Sequence, residues 1–272
     1  MEPGLQRRVQ RYGWDKAAHY YESSWQEQLR PAQDLMMQLA SLQRGEIVLD
    51  LACGTGLVSF KAKDAVGEEG FVLGTDISDK MIETANQTAQ RRKIERLEFS
   101  RMEAEELKLD EAKFDVTLCA LGLMYVPDPI HALKEMHRVL KPGGRAALAV
   151  WGKRDHCGWA EIFEIVDKRV ASEVCPMFFH LGNPGILALS LKNASFSRVV
   201  TQIISTKLVY SSDEEACEAA FAGGPVALAY NKFSEQVKKE AEAEYLDSLA
   251  PYRSANGYEI PGEFVVAIGY KD

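Results

Sequence analysis

The chain has 272 residues, with 32 lysines and arginines against 40 aspartates and glutamates, so its formal net charge is −8 at pH 7. Hydrophobic residues make up 46% and charged residues 26%, which is typical of globular proteins and excludes intrinsic disorder and collagen-like repeats. The acidic balance disfavours a nucleic-acid partner, because binding to phosphates requires an excess of lysine and arginine on one surface.

Two further features of the sequence bear on where the protein is located and on whether it binds a metal. The sequence has no run of about 20 apolar residues, so it predicts no membrane span, and its first five residues lack the apolar core of a signal peptide. The cysteines form no C-x-x-C pair, which disfavours a disulfide framework or a zinc site. The five cysteines are Cys53, Cys119, Cys157, Cys175 and Cys217. We expect a cytoplasmic protein without a metal site.

The apolar pattern predicts a helix first and then an alternation of strands and helices. Leu35, Met36, Leu39 and Leu42 recur on one helical face after Pro31. Five strands that are apolar on both faces are then predicted at 47–52, 71–75, 97–100, 114–120 and 145–151. The helix between the last two ends at Lys141-Pro142-Gly143-Gly144. This alternation is typical of a doubly wound α/β fold, in which helices cover both faces of a parallel sheet.

After residue 151 the alternation slows. Helices are predicted at 159–170 and 184–194, and strands at 199–210 and 264–270. Helical stretches at 213–221 and 225–249 separate these two strands. A helical insertion there would cover the edge of the sheet, as a lid would.

The densest chemical signal is the stretch from Leu49 to Gly56, which leaves the first predicted strand through Cys53-Gly54-Thr55-Gly56. A glycine-rich turn lets a ligand approach the backbone, and the helix that follows presents free N–H groups. Asp76 ends the second predicted strand, 22 residues after Gly54. A carboxylate there can accept both hydroxyls of a ribose. The pattern indicates an adenosine-containing ligand at the carboxyl ends of the strands.

Two ligand classes fit this loop, dinucleotides and S-adenosylmethionine. The dinucleotide fingerprint G-x-G-x-x-G has Ser59 in place of its third glycine, a tolerable departure that leaves both classes open. Asp50 has no pyrophosphate-binding role inside the first strand. It would instead orient the loop or meet an ammonium group through water, which favours S-adenosylmethionine.

Together with motifs further along, this core resembles the class I S-adenosylmethionine-dependent methyltransferases, in particular the ubiquinone/menaquinone-biosynthesis methyltransferase family. The resemblance covers roughly residues 40–152 and rests on five segments in the family's order and spacing: Val48–Gly56, Gly74–Ser78, Glu103–Leu107, Phe114–Val116 and Arg138–Gly144. It implies an α/β, doubly wound, Rossmann-like fold with a seven-stranded, mostly parallel sheet, an antiparallel last strand and a helical lid insertion.

The resemblance also implies which residues bind the cofactor. These are Asp50, Gly54, Thr55, Gly56, Asp76, Ile77, Glu103, Ala104, Ala120 and Tyr20. The three residues Gly54, Thr55 and Gly56 would pass under the methionine moiety, with Asp50 near its amino group and Ala120 beside its sulfonium.

At the other end of the cofactor, Asp76 would hold the ribose hydroxyls and Ile77 would lie against the adenine ring. Glu103 and Ala104 would contact the edge of the adenine, at a position where the family more often has aspartate or asparagine instead of Glu103. The cofactor implied is S-adenosyl-L-methionine, with S-adenosyl-L-homocysteine as product.

Aromatic residues before the first strand and after the fifth are candidates for the acceptor pocket, because aromatic faces suit a sulfonium cation and apolar acceptors. They are Tyr21, Trp25, Trp151 and Trp159. The catalytic residue is left unassigned. If the acceptor must lose a proton, His156 is the first candidate base and His180 the second.

The predicted organisation is a helical cap at 1–44, a cofactor-binding core at 45–152, and the end of the sheet at 153–272 with the lid at about 211–250. The expected function is methyl transfer to a small organic acceptor by in-line displacement, which needs mainly alignment and exclusion of water. Methylation of a macromolecule, or a catalytically silent sensor or scaffold that binds the cofactor, are the alternatives.

Overall fold

The computed structural model describes residues 2–170, 175 and 177–272. Its strands are β1 Ile47–Leu51, β2 Phe71–Asp76, β3 Leu97–Arg101, β4 Phe114–Ala120, β5 Leu140–Trp151, β6 Ser197–Tyr210, β7 Arg253–Ser254 and β8 Gly257–Tyr270. Its α-helices are α1 Pro3–Ala40, α2 Leu57–Val66, α3 Asp79–Arg92, α4 Pro129–Val139, α5 Glu161–Asp167, α6 Ile186–Asn193, α7 Asp213–Cys217, α8 Ala227–Tyr230 and α9 Glu235–Leu249. A turn of π-helix, Glu218–Ala222, follows α7.

The sheet has the order β3-β2-β1-β4-β5-β8-β6, and the two-residue β7 pairs with β8 beside this path. Strands β1 to β5 are parallel, and β8 lies antiparallel between β5 and β6. The central strands are apolar on both faces because helices cover both sides of the sheet. The doubly wound fold with an antiparallel last strand is therefore confirmed.

Helix α1 is longer than the sequence pattern indicated, because it runs through Pro31 without ending. A proline inside a helix leaves the carbonyl of the residue four positions earlier without its N–H partner. Here that residue is Glu27, and both Glu27 and Pro31 are exposed, so water can solvate the carbonyl. The predicted apolar stripe is thus the last third of one 38-residue helix, and Leu42 lies beyond its end.

The carboxyl end of α1 is fastened to the sheet by Arg145 of β5. The Arg145 guanidinium forms two hydrogen bonds to the carboxylate of Glu46, at 2.8 and 2.9 Å, and donates to the backbone oxygens of Ala40 and Ser41. Because the residues of α1 from Leu29 to Ala40 that face the sheet are buried, this helix becomes part of the core.

Strand β8 begins seven residues earlier than the apolar pattern indicated, and it includes Pro261. Proline is tolerated in a strand where its missing N–H faces away from the neighbouring strand. The Pro261 carbonyl accepts from Gly158 N at 2.9 Å, so the backbone polar groups of this residue point away from β6, on the side where β5 has already ended.

The segment predicted as a lid, residues 211–250, packs against α1. Trp25 of α1 donates its indole N–H to the carbonyl of Ala219 at 3.2 Å. The insertion was expected to cover the edge of the sheet, but α1 also contacts the edge strand β6. The Gln28 side chain of α1 forms hydrogen bonds of 2.7 and 3.0 Å to the backbone of Val209. The insertion and α1 therefore form one layer at this end of the sheet.

Close packing beneath the first loop depends on Gly74 of β2. A Cβ at this position would lie 2.5 Å from Cδ1 of Phe99 and 3.0 Å from Sγ of Cys53. We expect Gly74→Ala to lower the free energy of unfolding by roughly 1–3 kcal/mol, the usual cost of overpacking a core, as measured by urea denaturation. Gly262→Ala on β8 is the matched control, because its Cβ would meet no atom nearer than 3.4 Å. Equal losses in both variants would contradict the crowding argument.

Candidate active site

A single cavity lies across the carboxyl ends of β1, β2, β4 and β5, where a doubly wound sheet binds its ligands. The empty space in the cavity, including the part that is open to solvent, is about 1010 Å³. The loops after these strands form its floor, and α1 lies over it with residues between Arg7 and Leu29, among them Gln10, Trp14, Tyr21 and Trp25.

The loop after β1 is shaped by residues in the left-handed region. Ala52, Gly54 and Gly56 have φ values of 54°, 55° and 93°. A Cβ on Gly56 would lie 2.9 Å from Cζ of Phe99, so this glycine is required by backbone conformation and packing together. Gly54 lines the cavity, and the ring of Tyr21 lies over it, within 3.6 Å of where a Gly54 Cβ would be.

Asp76 connects this loop to the end of β2. Its Oδ2 accepts a hydrogen bond from Gly54 N at 2.9 Å, and its Oδ1 accepts one from Ser78 N at 2.8 Å. Burial raises the pKa of this carboxyl to about 6, against the lowering effect of the two N–H groups. A carboxylate offers about four acceptor sites, so two remain for a ligand's diol.

Asp50 on β1 is fully buried behind the loop. Its Oδ2 accepts from Ser59 Oγ at 2.6 Å, whereas its Oδ1 has no partner among the described residues. Burial raises the pKa of this carboxyl to about 7. Such an orphaned buried oxygen is suited to a positively charged ligand group, reached directly or through a water molecule.

A second polar group lies at the β3 side of the cavity. Arg7 of α1 donates from Nε to Oε2 of Glu105 at 2.7 Å and lies 3.6 Å from Glu103. Glu105 is buried, and its Oε1 also accepts from Asp128 N at 2.9 Å. These contacts tie the first turns of α1 to two loops of the core.

One further contact holds α1 down at the same end. Asp15 accepts from Ser78 Oγ at 2.7 Å and from Lys80 N at 3.0 Å. Because Ser78 N also binds Asp76, the helix over the cavity is connected to the carboxylate on its floor through a single residue.

The opposite end of the cavity is aromatic. The rings of Trp25 and Trp159 have centroids 5.8 Å apart, and those of Trp151 and Trp159 are 4.8 Å apart. Trp14, Tyr21 and Tyr125 continue the wall, with centroids 5.8 Å apart for Trp14 and Tyr21 and 5.1 Å apart for Trp14 and Tyr125. The Trp151–Trp159 contact is tilted and the other three are edge-to-face, and such contacts restrict the orientations of the rings.

The loop after β4 contains a strained residue, Leu121, with φ of 60°. Its N–H donates to Ala149 O at 2.8 Å. The next residue, Gly122, touches the loop after β1, since its Cβ would lie 2.3 Å from Cβ of Ala52. The two loops therefore meet without a side chain between them, and both line the cavity.

Most of the residues that the sequence predicted for the cofactor and acceptor come together here. The lining includes Gly54, Asp76, Ile77, Glu103, Ala104, Ala120, Tyr21, Trp25, Trp151 and Trp159. Asp50, Thr55 and Gly56 are not part of the lining. Thr55 is fully buried, and Gly56 packs on Phe99. Asp50 lies behind the loop, with its unpaired oxygen buried.

Three other predicted residues lie away from the cavity lining. Tyr20 is exposed, because neighbouring residues on a helix point about 100° apart and Tyr21 occupies the inner position. His156 is half exposed, with Nδ1 2.7 Å from Oε2 of Glu263, and His180 is exposed. Neither histidine lines the cavity, so the candidate-base interpretation has no support from their placement.

Several lining residues had no assigned role in the sequence interpretation. They are Arg7, Gln10, Trp14, Met81, Met102, Glu105, Leu121 and Tyr125. Glu105 lies inside a motif that the sequence analysis identified. Arg7 carries no local signal, because only the path of α1 across the sheet brings it to the cavity. Tyr125 lies in the loop after β4, which ends at the same edge of the sheet.

With this geometry in place, comparison with known proteins identifies the core. Residues 42–167 match the family model described as "Methyltransferase domain". This segment therefore resembles a methyltransferase domain. The demethylmenaquinone methyltransferase of Listeria welshimeri is 35% identical over 127 residues, which cover 47% of this chain and 54% of the relative. The chain thus spans about half the length of this curated relative.

Solved structures resemble the fold over a longer stretch. A methyltransferase from Bacillus halodurans, described only as putative, has a TM-score of 0.62 at 18% identity and covers 89% of this chain and 99% of its own. A [4+2]-cyclase has a TM-score of 0.58 at 20% identity, over 91% of this chain and 83% of its own. At these identities the likeness establishes the fold alone.

The described part of the chain shows neither a membrane-spanning helix nor a metal centre. In residues 2–170, 175 and 177–272, no helix is both long and apolar enough to cross a bilayer. The same residues contain no group of three or more His, Cys, Asp or Glu side chains placed to hold a metal ion.

The raised pKa of Asp50 predicts a pH-dependent stability. A carboxyl whose pKa rises from 3.8 to about 7 on folding favours the folded state when protonated, so its stabilising effect is lost as pH rises from about 4 to about 7. We expect Asp50→Asn to raise the melting temperature relative to the parent protein at pH 8 but much less at pH 5. In free energy of unfolding, the difference between Asp50→Asn and the parent protein at pH 8 corresponds to at most about 4 kcal/mol. Asp110→Asn, at an exposed position, is the control. A difference in melting temperature between Asp50→Asn and the parent protein that is the same at pH 5 and pH 8 would contradict the raised pKa of Asp50.

Proposed function

We propose that this protein transfers a methyl group from S-adenosylmethionine to a small organic acceptor. The observation that carries the proposal is Asp76, a buried carboxylate that faces the cavity and is held by two backbone N–H groups, one of them from the glycine loop. It presents hydrogen-bond acceptor oxygens at the place where this fold binds an adenosine.

The other residues fit the remaining parts of the cofactor. Ile77 and Met102 offer apolar surface beside Asp76 for the adenine ring, and Glu103 and Ala104 flank the same end of the cavity. The orphaned oxygen of Asp50 lies behind the loop that would carry the methionine moiety, where a positive amino group would offset the cost of burying its charge.

The chemistry that the bound cofactor supplies is an activated methyl group on a sulfonium. The residues of this chain then have to align the acceptor and exclude water. Helix α1 covers the cavity, and Trp25, Trp151 and Trp159 supply rigid apolar walls. Among the described lining residues there is no histidine and no lysine. A base for an acceptor that must lose a proton would therefore be a carboxylate of the lining, such as Glu103.

The acceptor class is inferred from two facts. The cavity is covered by α1 and bordered by Pro225 of the insertion, which suits a small molecule better than a polymer. The curated relative in Listeria welshimeri is named for methylation of demethylmenaquinone, itself a small organic molecule. A small organic acceptor is the class that both facts support.

A second candidate function deserves a direct test, because a [4+2]-cyclase shares this fold. The protein could bind the cofactor without transferring its methyl group. Incubation with S-[methyl-¹³C]adenosylmethionine and a panel of phenols, quinols, amines and thiols distinguishes the two. Labelled product together with S-adenosylhomocysteine supports methyl transfer. Tight cofactor binding with no labelled product from any class would favour the silent alternative.

The role of Asp76 predicts a large effect on affinity. We expect Asp76→Asn to weaken S-adenosylhomocysteine binding by roughly 30- to 150-fold, corresponding to about 2–3 kcal/mol for hydrogen bonds to a charged group. Titration calorimetry measures this directly. Asp110→Asn, which removes an exposed carboxylate outside the cavity lining, is the control. Unchanged affinity in Asp76→Asn would refute the ribose assignment, and measurable binding of NAD by the parent protein would point to a dinucleotide site.

The contacts of Arg7 predict an effect on dissociation. Because Arg7 ties α1 to Glu105 over the cavity, Arg7→Met should speed dissociation of S-adenosylhomocysteine several-fold. Stopped-flow fluorescence follows this rate through the tryptophans of the wall. Arg30→Met removes an ion pair with Glu27 on the exposed side of the same helix and should leave the rate unchanged. Equal rates in both variants would show that α1 does not limit release.

A further inference from the structure

Strand β6 forms one edge of the sheet, and part of its outer side is unpaired. It is the last strand in the order, so among the described residues only β8 pairs with it. Near its carboxyl end the N–H and C=O of Val209 point outward, because both bond to the Gln28 side chain of α1. Backbone groups alternate between the two sides of a strand, so the other outward-pointing residues in the regular part of β6 are Thr201, Ile203, Ser205 and Lys207.

Two features limit the unpaired run to Thr201–Lys207, which we call the free edge. Before it, the register of β6 against β8 shifts at residues 197–200, and such a bulge interrupts regular pairing. Beyond it, the Gln28 side chain occupies the outward groups of Val209. The free edge is therefore a regular run of seven residues centred on Ile204.

The free edge lacks the features that usually keep an edge strand from pairing with another chain. Those features are a short strand, charged side chains, proline and bulges. The opposite edge of the sheet has two of them, since β3 is five residues long and carries Glu98 and Arg101. From Thr201 to Thr206 the free edge has neither a charge nor a proline, and the side chain of Ile203 is 58% exposed. A run of this composition pairs readily with a matching strand.

The free edge matches a second copy of itself. An antiparallel pair with a two-fold axis at Ile204 places Thr201 opposite Lys207 of the second copy and, in the same way, Ile203 opposite Ser205. Every outward N–H and C=O of the run then has a partner. No like charges lie opposite each other, and the two Ile204 side chains meet at the axis. A register shifted by two residues would place one end of the run opposite the bulge or opposite the groups that α1 occupies.

We propose that two copies of this chain associate through the free edge, so that their sheets join into one continuous sheet across a two-fold axis. A two-fold pairing of this kind closes on itself, so it predicts a dimer and not a filament. The residues of the free edge lie outside the cavity lining, and the proposal therefore does not depend on the proposed function.

Light scattering after size-exclusion chromatography measures the oligomeric state. The parent protein should have the mass of a dimer at about 100 µM. Ile203→Lys should raise the dissociation constant of the dimer by about tenfold or more, because the two new lysines become diagonal neighbours beside the axis. Val209→Lys is the matched control and should leave the dimer unchanged, since Val209 is equally exposed, at 58%, but lies outside the free edge.

The same measurement can contradict the proposal. A monomeric parent protein at that concentration, assemblies larger than a dimer, or a dimer that the two lysine variants affect equally would overturn it. Far-UV circular dichroism of Ile203→Lys should match that of the parent protein, which separates loss of the dimer from loss of the fold.

A cysteine cross-link tests the register. Opposite residues at a non-hydrogen-bonded position have Cα atoms about 4.5 Å apart, within the range of a disulfide. Ile204→Cys should therefore form a disulfide-linked dimer under mild oxidation, seen on a non-reducing gel. Gln202→Cys is the control, because it would lie about 14 Å from its counterpart and should not cross-link. The five natural cysteines are buried and do not compete. Cross-linking of both variants, or of neither, would overturn the proposal.

Discussion

The site depends on one buried carboxylate. Asp76 receives the N–H of Gly54 from the β1 loop and that of Ser78 from the start of α3, so it holds two loops at the edge of the sheet in a fixed relation. Ser78 in turn contacts Asp15 of α1. The floor and the roof of the cavity are therefore connected through the group that would bind the ribose. The position of α1 over the cavity and that of the carboxylate on its floor therefore depend on each other.

Buried charge has a cost that a ligand can offset. The pKa values of Asp50 and Asp76 are raised to about 7 and about 6 because burial disfavours their ionised forms. A protein that keeps two such carboxyls beside one loop is less stable at neutral pH than one with apolar residues there. A ligand with a positive charge and a diol relieves part of this cost. The same feature that weakens the free protein therefore favours the cofactor.

The two ends of the cavity differ in chemistry. Hydrogen-bonding groups gather near β2 and β3, where Asp76, Glu103 and Glu105 lie, and aromatic rings gather near β5. The polar end can recognise a nucleoside that is common to many enzymes of this fold. The aromatic end is where the proposed acceptor would lie. The likeness to the methyltransferase domain model covers residues 42–167, whereas the cavity is also lined by residues of α1 and by Pro225 of the insertion, which lie outside that range.

Local pattern was sufficient for the features that depend on neighbouring residues. The five parallel strands followed from apolar runs between helices, and the spacing of Gly54 and Asp76 indicated that both lie at the carboxyl ends of adjacent strands, where they line one cavity. The hydrogen bond between them was not predicted. The features that depend on side-chain direction and long-range packing required the tertiary structure. It brought Tyr21 inside and left Tyr20 exposed, turned His156 toward Glu263, and carried α1 through Pro31 over the cavity. Sequence spacing defines where strands end, but only packing between distant segments determines which side chains meet there.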